Sequence, residues 1–125
     1  MILVVDDHAD TAEALAKMLE LAGYEAIYVI SGHELVEKLK RAKPALIVLD
    51  LMMPELDGLD CLQIIRSDER WKNIPVIIYS ADYSNESFRR AVALGANDFA
   101  VKGTVGWSDL VEMIAKHLPR REALN

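Results

Sequence analysis

The chain has 125 residues, 52% of them hydrophobic and 27% charged, with a formal net charge of −6. That length suits one domain around one packed core. The acidic balance argues against direct nucleic-acid binding, which needs a basic footprint, and no apolar stretch reaches the roughly 18 residues that cross a bilayer.

Ile2 to Val5 is an unbroken run of β-branched and Leu residues, the mark of a strand buried on both faces. Asp10, with Glu13 three residues on, reads as a capping box for a helix in which Ala12, Leu15, Ala16 and Leu19 follow helical spacing, closed by Gly23. Ala26 to Ile30 is a second strand, and Ser31 with Glu34 a second capping box, opening a helix with Leu35, Val36 and Leu39 inward. Pro44 breaks the chain before a third strand, Leu46 to Leu49. Pro54 and Asp57-Gly58 mark a loop and turn, after which Leu59, Leu62 and Ile65 share one face of a helix. Val76 to Tyr79 is a fourth strand; Ser84 caps a helix carrying Phe88, Ala91 and Val92, closed by Gly95. Phe99 to Val101 is a short fifth strand, and Trp107, Leu110, Val111, Ile114 and Leu118 stripe a last helix that Pro119 stops. Strands alternating with helices predict an α/β fold, a doubly wound five-stranded parallel sheet with helices on both faces. The domain spans 1–119, leaving 120–125 as a C-terminal tail in which Arg120-Arg121 belongs to a frayed, solvated end.

Four of the strands end at polar residues: Asp6-Asp7, Asp50, Ser80 and Lys102. Open α/β sheets bind ligands at that carboxyl rim. Asp6 and Asp7 repel each other unless neutralised, and Mg²⁺ favours one or two carboxylates plus other oxygens; the plain alternative is a polar loop favouring a helix N-terminus. Asp50 reads either as a third metal-site carboxylate or as a nucleophile forming an acyl phosphate. The Ser80 hydroxyl suits a phosphoryl oxygen, and the Lys102 ammonium suits Asp50 or a phosphoryl group. Each residue alone is an ordinary turn, cap or solvated charge. Their recurrence at equivalent strand ends points to Mg²⁺ and phosphoryl chemistry. His8, His33 and His117 are scattered and read as solvated or capping residues, not metal ligands. Cys61 stands alone, so no internal disulfide forms and a reducing, cytoplasmic setting fits. It reads as a small buried apolar residue, and Trp71 and Trp107 as packing or surface-contact residues.

Val4-Val5-Asp6-Asp7, the run from Asp50 to Gly58, Ser80-Ala81, and Gly95 to Phe99 leading to Lys102 together resemble the receiver domain of two-component response regulators, from about Leu3 to Leu118. The resemblance implies a flavodoxin-like strand order 2-1-3-4-5. It implies Asp50 as phosphoacceptor, assisted by Lys102 and Ser80, and Mg²⁺ held by Asp6, Asp7, Asp50 and the backbone carbonyl of Met52. Ser80 and Phe99 would form the switch pair. A histidine kinase or phosphotransfer protein would supply the phosphoryl group. A downstream protein target would read the face made by the fourth helix, fifth strand and fifth helix, a face that also allows a homodimer. No membrane partner is implied. Such a domain assists its own phosphorylation and dephosphorylation without being a turnover enzyme.

The chain departs from the family pattern at Gly103, where a proline after a cis peptide is usual. A non-proline cis bond costs roughly 3–4 kcal/mol, so a trans Lys102–Gly103 bond and a mobile 103–106 segment are expected. Phe99, lacking a hydroxyl, would switch by burial alone. Met52 and Asp82, two residues beyond Asp50 and Ser80, occupy places thought to tune phosphoryl lifetime. Three rivals remain. A phosphatase forming an aspartyl phosphate needs a second Asp where Met52 stands. A flavin carrier needs a phosphate-cradling loop where Asp6-Asp7-His8 stands. A pseudo-receiver would bind a partner without phosphorylation, which the complete residue set disfavours. Both a stand-alone receiver and an excised domain fit the chain.

Overall fold

The computed structural model describes residues 1–119; the 120–125 tail, with Arg120-Arg121, lies outside the described residues. Five strands, β1 (Ile2–Val5), β2 (Ala26–Val29), β3 (Leu46–Leu49), β4 (Val76–Ser80) and β5 (Asp98–Val101), alternate with five helices: α1 (Ala9–Leu21), α2 (Gly32–Leu39), α3 (Gly58–Ser67), α4 (Asn85–Ala93) and α5 (Trp107–His117). All pairings are parallel, in the order β2-β1-β3-β4-β5, as the resemblance implied. The order reverses between β1 and β3, so the crevice at that switch point opens above the ends of those two strands.

Side-chain alternation divides the core into two layers. Leu3, Val5, Ile47, Leu49, Val76 and Ile78 point to one face, under Leu35 and Leu39 of α2, Leu59, Leu62 and Ile65 of α3 and Ala91 of α4. Ile2, Val4, Leu46, Val48, Ile77, Tyr79 and Ala100 point to the other, under Ala12, Leu15 and Leu19 of α1 and Leu110 and Ile114 of α5. Each fully buried aliphatic side chain contributes about 1.5–3 kcal/mol. That burial keeps the central strands rigid beneath the rim. Trp71 and Cys61 both lie inside the first layer.

The helix starts depart in places from expectation. His8, not Asp10, is the N-cap of α1, and its side chain caps nothing; Asp10 falls inside the first turn, so the Asp10/Glu13 box does not form. The short β1–α1 connection starts the helix two residues earlier, directly behind the rim. Ser31 does cap α2 through Glu34 N–H, but Glu34 Oε1 reaches back to Ile30 N–H instead of Ser31. A full box unnoticed in the sequence, Asp57 with Asp60, opens α3. Ala91 is the buried residue of α4, while Phe88 and Val92 are 48% and 54% exposed. Trp107 at the start of α5 is also partly exposed.

Two further features fix the rim from below. A Cβ on Gly58 would run into the Asp50 carbonyl oxygen and the Leu51 Cα, so glycine there lets α3 start hard against the end of β3. Arg66, from the last turn of α3, donates to the carbonyls of Lys72, Ile74 and Gly95 and to Asn97 Oδ1. Asn97 Oδ1 also accepts from Val76 N–H. One guanidinium thus ties α3 to the entries of β4 and β5.

Candidate functional site

Backbone hydrogen bonds carry the sheet one residue beyond the strands. Asp6 N–H donates to Val29 O, Asp50 N–H to Val5 O, and Lys102 N–H to Ser80 O. These bonds fix the Cα positions of Asp6, Asp50 and Lys102 on one rim. Asp6 and Asp50 are each only 3% exposed and Ser80 is fully buried. Lys102 crosses the top of the sheet, donating from Nζ to Asp6 Oδ2 and, at 3.2 Å, to Asp50 Oδ2. Burial opposes its charge, but the Asp6 hydrogen bond and the Asp50 and Asp6 carboxylates outweigh burial and hold the ammonium above the usual lysine range. Its Nζ also stands 5.6 Å from the centre of the Tyr79 ring, within cation–π range. Burial first, and Asp6 with it, pushes the Tyr79 phenol up despite the opposing pull of Lys102.

The other carboxylate atoms face the opposite way. Asp50 Oδ1 accepts from Met52 N–H at 3.2 Å, and Asp6 Oδ1 from His8 N–H at 2.9 Å. Asp7 Oδ1 is buried and, among the described residues, accepts no hydrogen bond; His8 Nδ1 lies 3.1 Å away without forming one. Ligand atoms of Asp6, Asp7, His8 and Asp50 all lie within 4.8 Å of one another. One ammonium against three carboxylates leaves an excess of negative charge at low exposure. An orphaned, buried carboxylate oxygen in that setting is costly unless a cation joins it. The donor set, mostly hard oxygen, fits a divalent ion of the Mg²⁺ kind.

The structure brings Asp6, Asp7, Asp50 and Lys102 together, while Met52 meets Asp50 through its backbone N–H and not through the carbonyl named from the sequence. It does not add the Ser80 hydroxyl to that cluster, since Ser80 Oγ accepts from Asp82 N–H at 3.2 Å. Asp82 is itself occupied: its carboxylate accepts from Ser84 N–H and from Ser87 Oγ, at the start of α4. The Ser87 hydroxyl foremost, then Ser84, holds the Asp82 carboxyl below the usual range. Phe99 is half-buried, its ring packed on Phe88 at 5.5 Å between centroids. The Met52 side chain is 58% exposed and borders an open groove of about 520 Å³ that runs from Asp7 past Asp82 and Ser87 to Arg90. The Lys102–Gly103 bond is trans as expected; Gly103 takes φ +82, and Thr104 and Val105 N–H close the turn on Val101 O. Sequence reasoning placed His8 next to the acidic pair but read it as solvated or capping, whereas its ring turns to the carboxylates. Ser87 and Arg90 carried no signal in the sequence.

The response regulator receiver domain model matches residues 2–115. The chain is 34% identical over 122 residues to the transcriptional regulatory protein PrrA of Mycobacterium leprae, covering 98% of this chain and 51% of that protein. It is 36% identical over 102 residues to the CAI-1 autoinducer sensor kinase/phosphatase CqsS of Vibrio cholerae, covering 81% of this chain and 15% of that one. The chain therefore spans about half or less of these relatives. Among solved structures it is similar to the signal receiver domain of a signal transduction histidine kinase from Syntrophus aciditrophicus, with TM-score 0.87, 31% identity and coverage of 99% and 96% of the two chains. It is also similar to the Vibrio cholerae chemotaxis protein CheY4, with TM-score 0.86, 26% identity and coverage of 94% and 97%.

Proposed function

We propose that this chain, which belongs to the response regulator receiver domain family, is a Mg²⁺-dependent switch phosphorylated on Asp50 in the cytoplasm by a histidine kinase or phosphotransfer protein. The observation that carries the reading is Lys102 bridging buried Asp6 and Asp50 beside an unpartnered Asp7 oxygen. Asp6, Asp7, Asp50 and the Met52 carbonyl would hold the ion. Bound there, Mg²⁺ offsets negative charge on the transferring group.

The residues of the chain do the rest. A carboxylate oxygen of Asp50 attacks phosphorus in line; the new P–O bond forms as the P–N bond to the donor imidazole breaks, and the electron pair leaves with that nitrogen. Lys102, already charged and held 3.2 Å from Asp50 Oδ2, stabilises the developing negative charge without reorganising. The aspartyl phosphate then offers acceptor oxygens to Ser80. Turning its side chain toward them would carry the hydroxyl away from the Asp82 N–H it accepts from. Asp82 also binds the first turn of α4, so the exchange at Ser80 loosens or re-aims that turn. Phe99 packs on Phe88 of the same helix, and its movement inward would leave Phe88 and Val92 free to meet a protein target or a second copy of the chain. A bias of about 1–3 kcal/mol is typical of such coupling.

Intact-mass measurement after incubation with acetyl phosphate tests this. A phosphoryl gain is expected with Mg²⁺, abolished by chelator and by Asp50→Asn. Absence of the gain in the wild-type protein would favour a phosphorylation-independent binding module instead.

A further inference from the structure

The carboxylate cluster includes a nitrogen donor. His8 is the N-cap residue of α1, yet its ring bonds to no helix N–H. The ring turns back to the rim, with Nδ1 3.1 Å from Asp7 Oδ1 and 3.3 Å from Asp6 Oδ1. Its backbone N–H is anchored on the same Asp6 Oδ1, so the loop aims the ring at the carboxylates. The side chain is 71% exposed, and closing on an ion therefore desolvates little. Imidazole is a poor ligand for Mg²⁺, which takes oxygen donors, and a good one for Mn²⁺, Co²⁺, Ni²⁺ and Zn²⁺.

Resting on the metal-site reading above, we propose that His8 supplies an imidazole Nδ1 ligand beside Asp7 and Asp50, so that the site takes borderline transition-metal dications as well as Mg²⁺ and binds them more tightly than its carboxylates alone would. The carboxylates alone would bind any hard dication. The imidazole adds affinity only for ions that accept nitrogen, so it changes the ratio between metals.

The test uses metal-free protein at neutral pH, titrated calorimetrically with MgCl₂ and with CoCl₂. Losing one direct ligand is expected to weaken Co²⁺ binding by about tenfold or more in His8→Gln, against a much smaller change for Mg²⁺. Proton NMR of the Co²⁺-loaded wild type should show hyperfine-shifted imidazole ring C–H resonances that His8→Gln lacks and that His33→Gln retains. An unchanged Co²⁺-to-Mg²⁺ affinity ratio in His8→Gln, or no shifted imidazole signal in the wild type, overturns the assignment. Phosphorylation of the wild type by acetyl phosphate in Mg²⁺ is scored separately by mass. Failure there removes the switch reading, whereas failure of the cobalt signature with phosphorylation intact removes only His8.

Discussion

At the scale of single residues, chemistry is set by what each polar atom already holds. Asp82 has a pH consequence. Its unfolded carboxyl titrates near the ordinary 3.8 and its folded one lower, because Ser87 and Ser84 donate to the charged form. Between those values the unfolded chain binds the extra proton. The stabilisation is thus whole above about 3.8 and is lost as pH falls through the lower folded value. Denaturant midpoints of wild type and Asp82→Asn should differ at about pH 6 and converge towards about pH 2; a gap that stays constant would refute this. Cys61 behaves oppositely. Burial, with Asp57 and Asp60 adding to it, pushes its thiol up to about 12, and the side chain is fully buried. A thiol reagent at neutral pH should modify it only at the rate of unfolding; rapid labelling in native buffer would contradict the packing. Asp6, Asp7, Asp50 and Lys102 were legible because each follows an apolar strand in sequence. The direction of the Ser80 hydroxyl and of the His8 ring was not, because side-chain torsions answer to neighbours brought in by other elements.

At the scale of elements, buried strands announced themselves and helix boundaries did not. Continuous Val, Ile and Leu runs read correctly because both faces of the sheet are covered. The spacing of Phe88, Ala91 and Val92 gave the helix but not its burial, because helical spacing records an apolar face without saying what covers it. Ala91 is fully buried, whereas Phe88 is half exposed and rests on Phe99 of β5, and Val92 is more than half exposed. The start of α3 was half-read: Asp57-Gly58 looked like a turn, and the Asp60 partner completing the box passed unnoticed. Asp57→Ala should lower stability by about 1 kcal/mol through loss of the cap. Gly58→Ala should lower it more, and should slow phosphorylation of Asp50 as well, because the added methyl displaces the Asp50 carbonyl region. Chemical denaturation with paired phosphorylation rates checks both. Equal stability of the two variants would mean the α3 start can move away from β3.

At the scale of the whole molecule, the rim is a charge imbalance that the sheet cannot relieve by itself. Asp7→Asn should raise the melting temperature of the metal-free protein, since it removes a carboxylate whose buried oxygen accepts no hydrogen bond among the described residues. The same change should blunt the gain from Mg²⁺, which at a hundred times its dissociation constant amounts to about 2.7 kcal/mol in an intact site. Melting curves with and without MgCl₂ check the pair; a wild type indifferent to the ion would remove the electrostatic account of the cluster. The sheet carries that imbalance outward along a second line. Lys102 stands over the Tyr79 ring, and that ring lies 6.4 Å from the Trp107 indole, which is 39% exposed. Trp71 is buried in the other layer, with the Arg70 guanidinium over its ring. The two indoles thus sit in unlike surroundings, one of them a single ring away from the ammonium. When Lys102 redirects its charge, emission from Trp107 should shift in colour and brightness against the steady glow of Trp71. The protein then carries its own lamp, and the kinetics of its switching can be followed in a stopped-flow fluorimeter with no dye attached.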